Sequence, residues 1–112
     1  MNKVVGVGET ILDILFKNNQ PVAAVPGGSS FNSIISVGRA GVPCSFVGYT
    51  GADIVGQQTV DFMQKNGVST DYFEVRKEEK SAVSLAFLNK KGDAEYVFYK
   101  QPPMSKPDWK AP

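Results

Sequence analysis

Apolar positions along the chain alternate between runs fit for strands and a three-to-four spacing fit for helices. Val4 to Val7 is a β-branched run closed by Gly8, which predicts a strand buried on both faces. Ile11 to Phe16 is apolar apart from Asp13. The turn cluster Lys17-Asn18-Asn19-Gln20-Pro21 separates it from Val22 to Val25, predicting a hairpin of two short strands. Pro26-Gly27-Gly28-Ser29-Ser30 then leads into a helix. Phe31, Ile34, Ile35 and Gly38 fall at i, i+3, i+4 and i+7, with Ser29 or Ser30 as the predicted cap and Gly41 as the stop. Cys44 to Tyr49 reads as the next strand. Asp53 caps a second predicted helix with Ile54, Val60 and Met63 on its apolar face, ended by Gly67.

Beyond Gly67 the pattern becomes extended. Tyr72 to Arg76 is short, and Arg76 to Lys80 is a charged connector expected to be a solvated loop. Ala82 to Leu88 and Ala94 to Lys100 flank the glycine-bearing loop Asn89-Lys90-Lys91-Gly92-Asp93, a second hairpin. Alternating strands and helices predict an α/β fold built on a parallel sheet, to which the hairpins are additions. The last twelve residues hold four of the seven prolines and no periodic pattern. They read as a loop leading onward, so the chain is expected to be the front part of a longer protein.

Composition narrows the chemistry. With no histidine, Ser-His-Asp triads, Cys-His pairs and His-ligated zinc are excluded. The single cysteine, Cys44, forbids an internal disulfide and reads as a small buried hydrophobe with no basic neighbour in sequence. A net charge of +1 argues against nucleic acid or an anionic membrane as partner. The longest apolar run, Ala82 to Leu88, is far short of the ~20 residues of a membrane span. A cytoplasmic setting is the resulting expectation.

Three places could carry chemistry. Gly6-Val-Gly8 follows a strand, but position 11 is Ile11 where a dinucleotide-binding fingerprint needs glycine. Asp13 is a carboxylate within an apolar run. It is either a surface residue on an edge strand or an acceptor for the hydroxyl groups of a ligand. Gly27-Gly28 at a helix entrance lets a ligand approach the backbone, where first-turn N–H groups lack intrahelical partners. Asn32, in that first turn, adds a side chain that donates and accepts. Acceptor, donors and an amide together suit a polyhydroxylated ligand.

These residues resemble a known family. Gly8-Glu9 with Asp13, Gly27-Gly28-x-x-x-Asn32, Gly38-Arg39-Ala40-Gly41-Val42-Pro43 and Val47-Gly48-x-x-Gly51-x-Asp53-x-x-Gly56 are similar to the N-terminal part of the ribokinase-like (PfkB) carbohydrate kinases. Asn66-Gly67-Val68 fits the same pattern. The hairpin Phe87 to Lys100 is most similar to fructokinases and 2-keto-3-deoxygluconate kinases. The resemblance covers essentially the whole chain. It implies a ribokinase-like three-layer parallel sheet with a small β-sheet lid, of which residues 1–112 are the sugar-binding part of one kinase domain, with lid segments at about 11–25 and 82–100.

The implied activity is phosphoryl transfer to a sugar hydroxyl, with ATP and Mg²⁺ as cofactors of the full-length enzyme. The resemblance makes Asp13, Gly27, Gly28 and Asn32 sugar-binding residues. By alternation Tyr96, Phe98 and Lys100 share one lid face and Val97 and Tyr99 the other. Phe98 is favoured as a wall for the sugar, and the opposite face is the alternative. Many relatives carry arginine where Lys100 stands, which favours fructose over an acidic keto sugar. Ser29-Ser30-Phe31 departs from the small residues common in the family. The Gly-Ala-Gly-Asp segment that supplies the catalytic base has no counterpart in residues 1–112, and no phosphate loop replaces it. The chain alone is therefore expected to be inactive. A homo-oligomer through lid hairpins or an exposed sheet edge is also expected. Alternative readings are a noncatalytic sugar-binding or oligomerisation module and a nucleoside kinase of the same family.

Overall fold

A computed structural model of the chain describes residues 3–99. The elements run β1 (Val4–Val7), β2 (Ile11–Lys17), β3 (Gln20–Gly27), α1 (Ser29–Arg39), β4 (Cys44–Gly51), α2 (Ile54–Lys65), β5 (Phe73–Arg76), β6 (Val83–Leu88) and β7 (Ala94–Tyr99). They make two sheets. One is parallel, in the order β1-β4-β5; the other is mixed, in the order β3-β2-β6-β7. No helix among the described residues is long and apolar enough to cross a membrane.

The parallel sheet grows in one direction through two crossovers, so both helices land on the same face. Phe31 of α1 stacks on Phe62 of α2 at 6.1 Å and meets Phe46 of β4 edge-on at 5.7 Å. These rings belong to a core of Phe31, Ile34, Ile35, Cys44, Phe46, Met63, Val68 and Phe73. The buried face of α1 is the one its spacing predicted: Phe31, Ile34, Ile35 and Gly38. Gly38 is there for clearance. A Cβ on it would strike the carbonyl oxygen of Asn66 and lie 2.8 Å from Val68 Cγ2, where the turn after α2 packs on the helix.

Several local expectations are corrected. Gly28, not a serine, caps α1, and no side chain makes the capping hydrogen bond. A φ of +125° and the carbonyl of Glu9, 2.5 Å from where a Cβ would stand, leave only glycine there. Of the expected face of α2, Ile54 is 79% exposed, while Met63 is buried and Val60 packs against the core; Gly56 and Thr59 are also buried. The phase of α2 follows from Gly56, which packs against the carbonyl of Gly51 with no room for a side chain. The valines of β1 are exposed, because β1 is an edge strand among the described residues. Cys44 is buried as expected. Burial pushes its thiol up, and Lys3 acts as a weaker opposing cation that the sequence order conceals.

The first hairpin turns through Asn18 and Asn19, with φ of 52° and 61°. Two consecutive left-handed residues are what a tight two-residue hairpin requires. The second hairpin closes through Asn89 to Asp93, with Gly92 at φ 84°. The hairpins are not separate additions. β2 pairs in parallel with β6, from Leu12 opposite Val83 to Lys17 opposite Leu88, and Phe16 stacks on Phe87 at 4.7 Å. The two hairpins are thus one four-stranded sheet.

A carboxylate ties that sheet to the parallel one. Asp53 caps α2 by accepting the N–H of Gly56 at 2.9 Å. It also accepts the Ser81 hydroxyl at 2.6 Å and the Ser81 N–H at 3.0 Å. Ser81 lies just before β6, and its hydroxyl is 2.9 Å from Thr50 Oγ1 at the end of β4. Arg76 is more than part of a solvated connector. Its guanidinium pairs with Glu74 and Glu79 and lies 4.1 Å over the Tyr49 ring, leaving its side chain 13% exposed.

Two outcomes follow. Gly38→Ala should lower stability by up to about 2 kcal/mol, because overpacking of about 1–3 kcal/mol outweighs the ~1 kcal/mol gained in helix propensity. Exposed Ser36→Ala on the same helix should stay within about 0.5 kcal/mol in urea unfolding. For Asp53, burial tends to raise the pKa, but bonds from the Ser81 hydroxyl, the Ser81 N–H and the Gly56 N–H outweigh it and hold the carboxyl below its ordinary value. A depressed folded pKa gives stability that is present above about pH 4 and lost as the pH falls through the folded value. Asp53→Asn should therefore be less stable than the parent at pH 7, with the gap narrowing below about pH 4 in unfolding titrations at pH 2–7.

Candidate functional site

The two sheets meet at the root of the first hairpin, where β1 ends, β2 begins, β3 ends and α1 starts. Ile11 pairs with Gly27 at that root, and Gly28 follows at once as the helix cap. Gly8 makes the meeting possible from the other side: a Cβ there would lie 2.9 Å from Ser30 Cβ. Glu9, Thr10, Ile11, Gly28, Ser29, Ser30 and Phe98 line a cleft of about 240 Å³ at this junction. That is below the ~300–1,000 Å³ of drug-sized sites and suits a smaller ligand. N–H groups in the first turn of α1 have no carbonyl a turn earlier to bond, so the cleft's helical wall offers donors.

Asp13 stands on β2 between β3 and β6, so the edge-strand reading is corrected: β2 is an interior strand. The register aligns Val25, Asp13, Ser84 and Phe98 in one row across the sheet. Directly paired residues share a face, so Asp13, Ser84 and Phe98 project to the same side. Ile11 is two residues from Asp13 on β2 and shares that side. Ile11 and Phe98 both line the cleft, which puts this face of the mixed sheet over it.

The Asp13 carboxylate is held at one oxygen and packs closely at the other. Oδ1 accepts the hydroxyl of Ser84 at 2.5 Å, and Ser84 is fully buried. Oδ2 lies over Gly27, where a Cβ would be 2.6 Å away. Any side chain at position 27 would displace it. Asn32 lies one turn into α1; its N–H bonds the Gly28 carbonyl at 2.8 Å, and its side chain is exposed. Asn32 and Asp13 are outside the residues that line the cleft, although each contacts one of the two glycines at its edge. Phe98 is 59% exposed and stacks on Tyr96 at 5.7 Å. Lys100 lies outside the described residues.

Tyr49 on β4 feels the charge of Glu9 from the cleft lining. Burial, then the Glu9 and Glu79 carboxylates, raise its phenol above the ordinary value, against the Arg76 charge. The described cleft lining carries Glu9 and no lysine or arginine. Ser84, Glu9 and Thr10 were not anticipated as site residues. Ser84 left one signal, a hydroxyl in the middle of an apolar strand.

Comparison with protein families matches residues 1–110 to the pfkB family carbohydrate kinase. Among curated proteins, the aminoimidazole riboside kinase of Salmonella typhimurium is 29% identical over 91% of this chain and 32% of its own length. Fructokinase-2 of Oryza sativa is 28% identical over 90% of the chain and 32% of its own length. The chain thus spans about a third of the length of these relatives. Among solved structures, the fructokinase of Xylella fastidiosa with bound ATP superposes with a TM-score of 0.76 and 27% identity, covering 88% of this chain and 33% of that one. The apo fructokinase of Vibrio cholerae gives a TM-score of 0.81 at 20% identity, covering 91% and 35%, a likeness of fold. With its parallel sheet, mixed second sheet and near-complete family match, the chain belongs to the pfkB family of carbohydrate kinases.

Proposed function

We propose that residues 1–112 are the sugar-binding and lid portion of an ATP-dependent sugar kinase of fructokinase type. The observation that carries this is the cleft between Gly28, the first turn of α1 and Phe98, with Asp13 and Ser84 in the same strand row as Phe98, in a chain whose relatives are sugar kinases. An ionised carboxylate only accepts hydrogen bonds, the first turn of α1 donates, and Asn32 does both. That set matches a ligand rich in hydroxyl groups. Phe98 supplies an apolar wall. A cleft lining with Glu9 and without described cations suits a neutral sugar better than an acidic one, and fructose is the substrate this reading favours.

The mixed sheet acts as the lid. Clamped to the parallel sheet at Asp53–Ser81 and continuous with it through residues 8–10, it covers the sugar and keeps water from the phosphoryl group. The described residues hold no group of three or more His, Cys, Asp or Glu side chains that could bind a metal. The reading assigns ATP and Mg²⁺ to the complete enzyme. Relatives about three times as long support this assignment. The exposed edge strand β7, with Tyr96, Val97, Phe98 and Tyr99 all exposed, is the surface through which two copies would associate. Similarity to the aminoimidazole riboside kinase favours a second reading, a kinase for ribosides in the same cleft.

The complete protein, expressed from the coding sequence extended past codon 112, should phosphorylate fructose faster than ribose, ribosides or 2-keto-3-deoxygluconate in a coupled ADP assay. A preference for a riboside selects the second reading, and a chain that ends at 112 with no downstream kinase segment sinks both. Asp13→Asn should lower kcat/KM for the sugar about 10- to 100-fold, the worth of one charge-assisted hydrogen bond. Residues 1–112 alone, given ATP, Mg²⁺ and fructose, should release no ADP above background.

A further inference from the structure

We infer that Ser84 is a positioning residue for the sugar: it fixes the Asp13 carboxylate in its receiving orientation before the ligand arrives. The inference rests on the sugar-kinase reading and extends it to a residue 71 positions away in sequence. Ser84 and Asp13 are direct partners in the parallel β2–β6 ladder, so their side chains leave the sheet side by side. Ser84 is fully buried within β6, with Val83, Leu85 and Ala86 beside it in sequence, where a hydroxyl carries a desolvation cost unless it is bonded. Its partner is Asp13 Oδ1. The other oxygen is seated over Gly27, with no side chain in the way.

A carboxylate left free on a strand rotates about two torsions and must be ordered when a sugar binds. Here the order is in place beforehand, which removes a cost of binding. Ser84 does not compete with the sugar for acceptor capacity. A carboxylate has about four lone-pair sites, and Ser84 uses one. The row continues from Ser84 to Phe98, so the residue that orients the acid is also the direct strand partner of the aromatic wall. Substitution at 84 therefore acts on sugar binding and not on the nucleotide.

The test is steady-state kinetics on the complete protein with D-fructose and ATP varied separately, for the parent, Ser84→Ala and the isosteric, weakly donating Ser84→Cys. The expected result is a KM for fructose raised about tenfold in both variants, the worth of a hydrogen bond to a charged group. The KM for ATP and kcat should stay within about twofold, while melting temperatures fall modestly in both variants because the same bond helps hold the β2–β6 register. An unchanged fructose KM in a parent that turns over, or a loss confined to kcat, overturns the positioning role and leaves the kinase reading intact. A parent that phosphorylates no sugar overturns the kinase reading, and this inference falls with it. Should Ser84→Ala fail to fold, Ser84→Cys, which keeps the volume at 84, gives the same discrimination.

Discussion

The parallel pairing of β2 with β6 is the constraint on which the site depends. It joins two hairpins that are distant in sequence into one sheet, and it sets which residues stand next to Asp13. Side chains in a strand alternate between faces, so a slip of one residue would put Leu85 or Val83 beside the acid and turn Ser84 away. Phe16 stacked on Phe87 and the Asp13–Ser84 bond both hold this register, one through apolar contact and the other through a polar pair. The cleft lining inherits its geometry from that alignment.

Close backbone approach is the second organising feature. Gly8, Gly27 and Gly28 lie where β1, the first hairpin and α1 converge, and each would place a Cβ within 3 Å of another atom. What looks in sequence like a glycine-rich stretch is, in space, one crowded junction. Its crowding brings the start of β2 and the first turn of α1 to the same hollow, with the Asp13 carboxylate beside Gly27 just outside its lining. On the parallel sheet, Gly51 and Gly56 do the same for the Asp53 clamp, so that both connections between the sheets are made where side chains are missing.

Much of this was legible in the sequence. The buried face of α1, the caps at Gly41, Asp53 and Gly67, and both hairpins follow from local patterns, because helix periodicity and turn chemistry depend on residues close in the chain. Asp13, Gly27 and Gly28 stood out as chemically odd for their surroundings. The exposure of Ile54 and the use of Gly28 as cap did not show, since both are decided by contacts with Gly51 and Glu9 from other elements. Ser84 stayed hidden for the same reason. A lone hydroxyl in an apolar strand has no meaning until the strand beside it is known, and the partner here is non-local.

The separation in sequence of Glu9 from Phe98, which both line the cleft, also sets an order of assembly. On a ribosome the helices and β1, β4 and β5 emerge and can pack while β6 is still unmade. At about 5–20 residues per second, Asp13 waits on the order of 4–14 s for Ser84. Through that interval β2 has an open hydrogen-bonding edge and an unpaired carboxylate, and the ligand hollow has only one wall. The mixed sheet is thus the last part of this segment to form, and the nascent chain is most exposed to mispairing at β2, the strand that carries Asp13.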